Sequence, residues 1–381
     1  MPHQKNFKRL VRGRMAKTGE SYTTARSQFT PATAATVPPI ADPDSAALAR
    51  ALAAAGYVNP ADGGVFSEGL LFGVAGGIGF AYLVFVYPGW TSVNLDGRFN
   101  ALYFEKKGFI ETACARLGAR LRVRPTSDAQ VTERYLRRAL EAVPEVALTV
   151  DLACLPGRAS SRGPSSPWPV TVSAQDADLT VAGLPRGRVT MGWPELVGAR
   201  WANAKKYGGL YQLSPPGEPL DVRAAVLGAI GRTAQCMLEP GRSNFDGSFG
   251  VPGIRKWARL LTDPRDAKGW PKLFAEPDGL RDALASVVDG LGGAGGRSGA
   301  TRRRYAAFLD EAASLLGEPA LSTAARTYSD LGERWTMLVA LASEPGCDPA
   351  DLAAVLPDLA DAEEAAALSL RAAVTSYAKG D

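Results

Sequence analysis

Apolar positions recur at helical spacing near residue 44 and again through most of the second half of the chain, with shorter alternating stretches between. Leu48 and Leu52 ride on a segment that Asp44 or Ser45 can cap, which predicts a helix there. Residues 106–117 and 128–142 carry the same period, and Arg120-Leu-Arg-Val-Arg124 between them alternates as a half-buried strand does. Val146 to Leu152 is a strongly apolar strand pattern. Val170 to Ser173, Leu179 to Ala182 and Val189 to Met191 follow as short strands parted by turn residues, which predicts antiparallel pairing. Past about residue 218 the strand pattern stops. Helical patterns then occupy 220–238, 251–262, 278–291, 300–316, 320–343 and 348–376, with loops at Gly241 to Gly250 and Gly292 to Gly299. The order predicts an α+β protein, with an α/β domain over 44–218 and an all-helical domain over 219–381.

Two stretches depart from that simple pattern. Gly69 to Leu95 carries no charge and is long enough to span a bilayer. Five glycines crowd into 69–79, however, Pro88-Gly89 interrupts the later part, and Arg98 is the only basic residue near either end. A glycine-rich turn entering a core strand, Tyr82 to Tyr87, fits better than a membrane span. At the other extreme, residues 5–16 place Phe7, Leu10, Val11 and Met15 on one helical face, with Lys5, Lys8, Arg9, Arg12 and Arg14 elsewhere. Ser21 can cap a second short helix to about residue 28, and a linker rich in Pro, Ala and Thr completes a basic helical arm over 1–43.

Composition narrows the chemistry. The chain has 381 residues, 46% of them hydrophobic, enough for two domains. Its net charge is +4, but residues 1–30 of the arm hold seven basic side chains against one acid, so the rest of the chain is close to neutral. The arm is therefore the candidate contact for nucleic-acid phosphates or, through its apolar stripe, for a protein partner. There is a single histidine, His3, at the chain end, which makes histidine-based catalysis and histidine-rich metal sites improbable. The four cysteines are dispersed without a CxxC, so no zinc site is expected, and the basic N-terminus lacks the apolar core of a signal peptide. A reduced, cytoplasmic setting follows. No cofactor motif is recognised: Gly73-Val-Ala-Gly-Gly-Ile-Gly79 leads into a strand, the reverse of a dinucleotide fingerprint, and lacks the ending of a P-loop.

The segment Phe66-Ser-Glu-Gly-Leu-Leu-Phe-Gly-Val-Ala-Gly-Gly-Ile-Gly-Phe80 resembles the N-terminal domain of butirosin-biosynthesis protein H and its relatives. The Gly292 to Glu311 segment, with Tyr328 and Trp335 beyond it, is similar to that family's companion C-terminal domain of unknown function. The resemblance implies a papain-like cysteine-peptidase fold whose members act as acyl transferases. It also implies a nucleophilic cysteine opening the first helix and a histidine base before a later strand. Placed on this chain, with Ser45 at the motif serine, the cysteine position holds Pro43 and the preceding histidine is Asp42. The base position falls at Trp168 or Pro169, and an orienting residue would lie near Gly183. None of these side chains activates a thiol or shuttles a proton.

Further candidates remain. Cys154, just past an apolar strand, is either an active-site thiol or a buried structural cysteine, the latter preferred. Ser45 reads as a cap, and Asp42 and Asp44 as linker and capping residues. Gly76 and Gly77 belong to the turn, or to a ligand cradle. Glu68 could meet an amine. Arg297, Arg302, Arg303 and Arg304, with Tyr305, could meet an anionic group in a cleft between the Glu68–Phe80 and Gly292–Tyr305 segments. The expectation is a diverged, catalytically silent relative of these acyl transferases that binds a small molecule, peptide or carrier-bound acyl group. The alternatives are an active amide-forming transferase using Cys154, and a nucleic-acid-associated protein using the arm.

Overall fold

The computed structural model describes residues 42–99, 104–126, 128–155, 167–175, 177–185, 187–201, 209–241, 245, 247–292 and 299–380. The expected arm, with Lys5, Lys8, Arg9, Arg12 and Arg14, and the loop holding Arg297 lie outside them. The molecule has a sheet-bearing N-terminal region followed by a helical one, as the period change near residue 218 predicts.

The chain enters through helix α1 (Pro43–Ala54), which buries Leu48 and Leu52 completely. A short α2 (Glu68–Val74) follows, and a glycine turn leads into β1 (Ile78–Tyr87). β1 pairs antiparallel with β2 (Trp90–Arg98) through the tight turn at Pro88-Gly89, forming a separate two-stranded ribbon. The uncharged run is thus divided among a helix, a turn and a hairpin. Among the described residues no helix is long and apolar enough to cross a membrane.

After α3 (Phe109–Leu117) come β3 (Leu121–Val123), α4 (Ala129–Ala142), β4 (Val146–Asp151), β5 (Pro167–Gln175), β6 (Asp178–Leu184), β7 (Gly187–Met191), α5 (Trp193–Trp201) and β8 (Leu210–Leu213). The strands form one sheet in the order β3-β8-β4-β5-β6-β7, antiparallel throughout. Val146, Leu148 and Val150 on β4 and Val170 and Val172 on β5 are all buried, and α1 packs against β5. β4, lying inside the sheet between β8 and β5, is buried along most of its length, whereas the edge strand β7 is largely exposed.

The helical region comprises α6 (Val222–Leu238), α7 (Gly250–Leu260), α8 (Trp270–Leu273), α9 (Pro277–Gly292), α10 (Arg302–Leu316), α11 (Pro319–Ala342) and α12 (Pro349–Gly380). It grips the β1–β2 ribbon. Phe80 and Tyr82 of β1 stack on Trp257 of α7 at 6.1 and 6.3 Å, and Phe80 stacks on Trp335 of α11 at 5.7 Å. Trp270 of α8 donates to the Tyr82 hydroxyl at 3.0 Å, and burial pushes that phenol up to about 12. Stacked aromatic pairs of this kind contribute beyond the apolar area they bury, and Trp270 and Tyr82 satisfy each other's polar tips.

Candidate functional site

The site grows from the first turn of α1. Its cap is Asp42 rather than Asp44 or Ser45, and Pro43 occupies the first helical position. Proline is at home there, since its missing N–H would have no helical partner and its fixed φ suits the helix. Asp42, 3% exposed, accepts from the Ser45 backbone N–H at 2.9 Å and the Ser45 hydroxyl at 2.6 Å. Ser45 is fully buried, so its hydroxyl faces the cap and not solvent.

Two arginines from distant parts of the chain close on this cap. Arg98, ending β2, donates to Asp44 at 2.8 Å and to Asp42 at 3.2 Å, with its guanidinium 3.7 Å above the Phe109 ring centroid. Arg304, in the first turn of α10, reaches Asp42 at 3.3 Å and lies over Phe72 at 5.2 Å. Burial raises the Asp44 carboxyl above the usual carboxylate range despite Arg98 beside it. Burial also works against the charge on Arg98, but Asp44 and Asp42 more than offset it and strengthen its hold on the proton. Arg304 is lowered by burial, against the pull of Asp42. Carboxylates at a helix N-terminus also meet the positive end of its dipole.

Glu68 stands exposed at the rim of this cluster. Its carboxyl is raised by burial and by Asp42, against the charges of Arg50 and Arg304, and accepts from the Asp42 backbone. One residue earlier, Ser67 caps α2 and donates to Glu311 of α10, a second tie to the helical region.

Beneath α1, Arg50 donates from Nε to Thr171 of β5 at 3.0 Å and lies 3.7 Å from Glu145. Its other face abuts Gly183 of β6: a Cβ there would stand 2.8 Å from Arg50 Nη2. Trp168, half-buried on β5, donates its indole N–H to the Gly183 carbonyl at 2.8 Å. The positions that the resemblance links to base and orienter are therefore bonded to each other, as indole and backbone.

The remaining candidates take different places. A Cβ on Gly77, whose φ is +62°, would come within 2.4 Å of the Tyr305 ring, and one on Gly76 within 2.2 Å of Phe99. The glycine turn is thus packed against side chains of this protein, which corrects the cradle reading: there the Glu68–Phe80 and α10 segments touch where a cleft was expected. Arg302 and Tyr305 are fully buried, so neither presents itself to a ligand. Arg302 donates to Glu363 at 2.7 Å and to the carbonyls of Gly97 and Ala300 at 2.7 and 2.8 Å. Arg303 is half-buried with its stem over Gly332. Of the basic run it is Arg304 that reaches the site. Cys154, on the 3-10 turn after β4, is exposed rather than buried as preferred. Partial burial and then the adjoining Asp151 raise its thiol above the ordinary value, the opposite of activation.

Arg98, Arg50, Glu145 and Glu311 escaped the sequence reading. Arg98 alone left a signal, as the single cation ending an uncharged run. Among the described residues no group of three or more His, Cys, Asp or Glu could hold a metal.

Comparison with protein families adds two findings. Residues 42–179 match the family described as butirosin biosynthesis protein H, N-terminal, and residues 195–370 match a domain of unknown function (DUF4872). No curated protein matches the chain at a significant level.

Proposed function

We propose that this chain, whose residues 42–179 match the butirosin biosynthesis protein H N-terminal family with its biosynthetic, acyltransferase-like role, has exchanged catalysis for binding. On this reading a papain-like domain keeps the shape of an acyl transferase but performs no acyl transfer. It binds a small amine-bearing molecule, a peptide or a carrier-bound acyl group at the rim of the α1 N-terminus, in a reducing cytoplasm, where Glu68 is exposed.

One observation carries the reading. The first turn of α1, where the family's thiol would stand, is occupied by Pro43 and locked by Asp42 to Ser45, Arg98 and Arg304. A thiolate in that position would meet two carboxylates, and the indole of Trp168 carries no titratable proton near neutral pH. The exposed Cys154 does not replace it, since Asp151 beside it disfavours the thiolate. Binding is compatible with the same residues, because fixed, paired charges recognise a ligand without moving protons.

Incubating the full chain with an acyl thioester and with an electrophilic thiol probe, followed by intact-mass measurement, tests the proposal. The expected outcome is no acyl-enzyme, and slow probe labelling confined to Cys154. A stoichiometric acyl adduct, lost in Cys154→Ala, would establish the active amide-forming enzyme instead.

A further inference from the structure

A second feature lies away from the α1 cap, where the N-terminal half of α6 faces α3. A pocket of about 380 Å³ is lined by Glu105, Arg116, Asp221, Ala224, Ala225, Gly228 and Arg232. Its floor is made of small residues one helical turn apart, so a ligand can approach the α6 backbone closely. Two guanidiniums share a single carboxylate oxygen: Glu105 Oε1 accepts from Arg116 at 3.1 Å and from Arg232 at 2.9 Å. That leaves one positive charge on this wall. The other acid of the lining, Asp221, is spent capping the Ala224 N–H at 2.9 Å, where the helix dipole offsets its charge.

Both arginines are fixed in place. Arg116 also donates to the Val74 carbonyl at 2.8 Å and lies over Phe99 at 5.7 Å. Arg232 donates to Gln235 at 2.8 Å and to the Phe104 carbonyl at 3.1 Å, with its guanidinium 6.0 Å from the Phe104 ring centroid. A pair of rigid, partly desolvated guanidiniums with one shared counter-ion suits an incoming anion, since little ordering entropy is lost. Burial already lowers Arg116, so unneutralised charge there is costly.

We propose that this pocket is a binding site for the anionic head of a small molecule, a phosphate monoester or a carboxylate, with Arg116 and Arg232 taking the charge and the Ala224–Gly228 floor taking the apolar part. Glu105 is then an internal competitor, a carboxylate that occupies the arginines until the ligand arrives. The inference rests on this geometry alone and is independent of whether the chain transfers acyl groups.

Calorimetric titration of the full chain at low salt with inorganic phosphate, and separately with propionate, tests it. Saturable binding of one equivalent is expected for at least one anion, phosphate identifying the monoester class and propionate the carboxylate class. Arg232→Gln should weaken it about tenfold or more, the loss of a charged hydrogen bond. Glu105→Gln should strengthen it, because the competitor loses its charge while the arginines remain. If Arg232→Gln fails to fold, the sign of the Glu105→Gln effect decides. No saturable binding of either anion, binding untouched by the variants, or weaker binding in Glu105→Gln would overturn the proposal.

Discussion

Arg302 and Glu363 form an ion pair with no solvent exposure on either side chain. The Trp335 indole also donates to Glu363, at 2.6 Å. Charges so buried are stabilising only as a set. Arg302→Met should therefore destabilise the protein by about 3–5 kcal/mol, leaving Glu363 uncompensated. The double variant Arg302→Met with Glu363→Leu should recover much of that loss, which urea denaturation of the two proteins will measure. Gly77 gives a second contrast. Gly63 has a similar φ, +70°, yet a Cβ there would meet nothing within 4 Å. Alanine at Gly63 should cost about 1 kcal/mol through backbone strain. Alanine at Gly77 adds collision with Tyr305 and about 1–3 kcal/mol more, so the gap between the two melting temperatures reports the packing alone.

At the scale of elements, the first turn of α1 makes stability depend on pH in a way opposite to the common acid trend. Asp44 has a folded value above its unfolded one, so its contribution is fully present only below the unfolded value and is lost as pH rises through the raised one. Asp44→Asn removes this dependence. Relative to the parent, the variant should gain stability between acid and neutral pH, and parallel denaturation series across that range will show whether the difference grows with pH. Most elements were legible because their patterns repeat: α6, α9, α10, α11 and α12 fall within a few residues of the helical stretches read from the chain. β2 was not read, since Trp90 to Arg98 carries only Val93 and Leu95 as buried aliphatics and its exposed start looks like loop. β8 is four residues long, too short for a period to declare itself. The α1 cap lies two or three residues before the positions read from the sequence because Asp42, Asp44 and Ser45 are all competent caps, and Pro43 at the first helical position selects Asp42.

At the scale of the whole molecule, the family and the passage from sheet to helices were open to sequence reading, carried by the glycine turn of Phe66 to Phe80 and the Gly292 to Glu311 segment. The resemblance also placed Pro43 and Trp168 where a thiol and an imidazole were expected. The contacts around Asp42 were not open to sequence reading. Asp42 is separated by 56 residues from Arg98 and by 262 from Arg304, and no local pattern announces a contact over such distances. The glycine run was read as a tight turn with close packing or a ligand cradle; it packs on Tyr305 and Phe99, and sequence alone does not name which side chains fill such a gap.

Asp42 is also the point at which the basic arm joins the body. It is fastened at once to the ribbon by Arg98 and to α10 by Arg304. Asp42 therefore ties both halves to the point where the described chain begins. One buried carboxylate thus works as a keystone, and losing it would loosen two seams at a stroke.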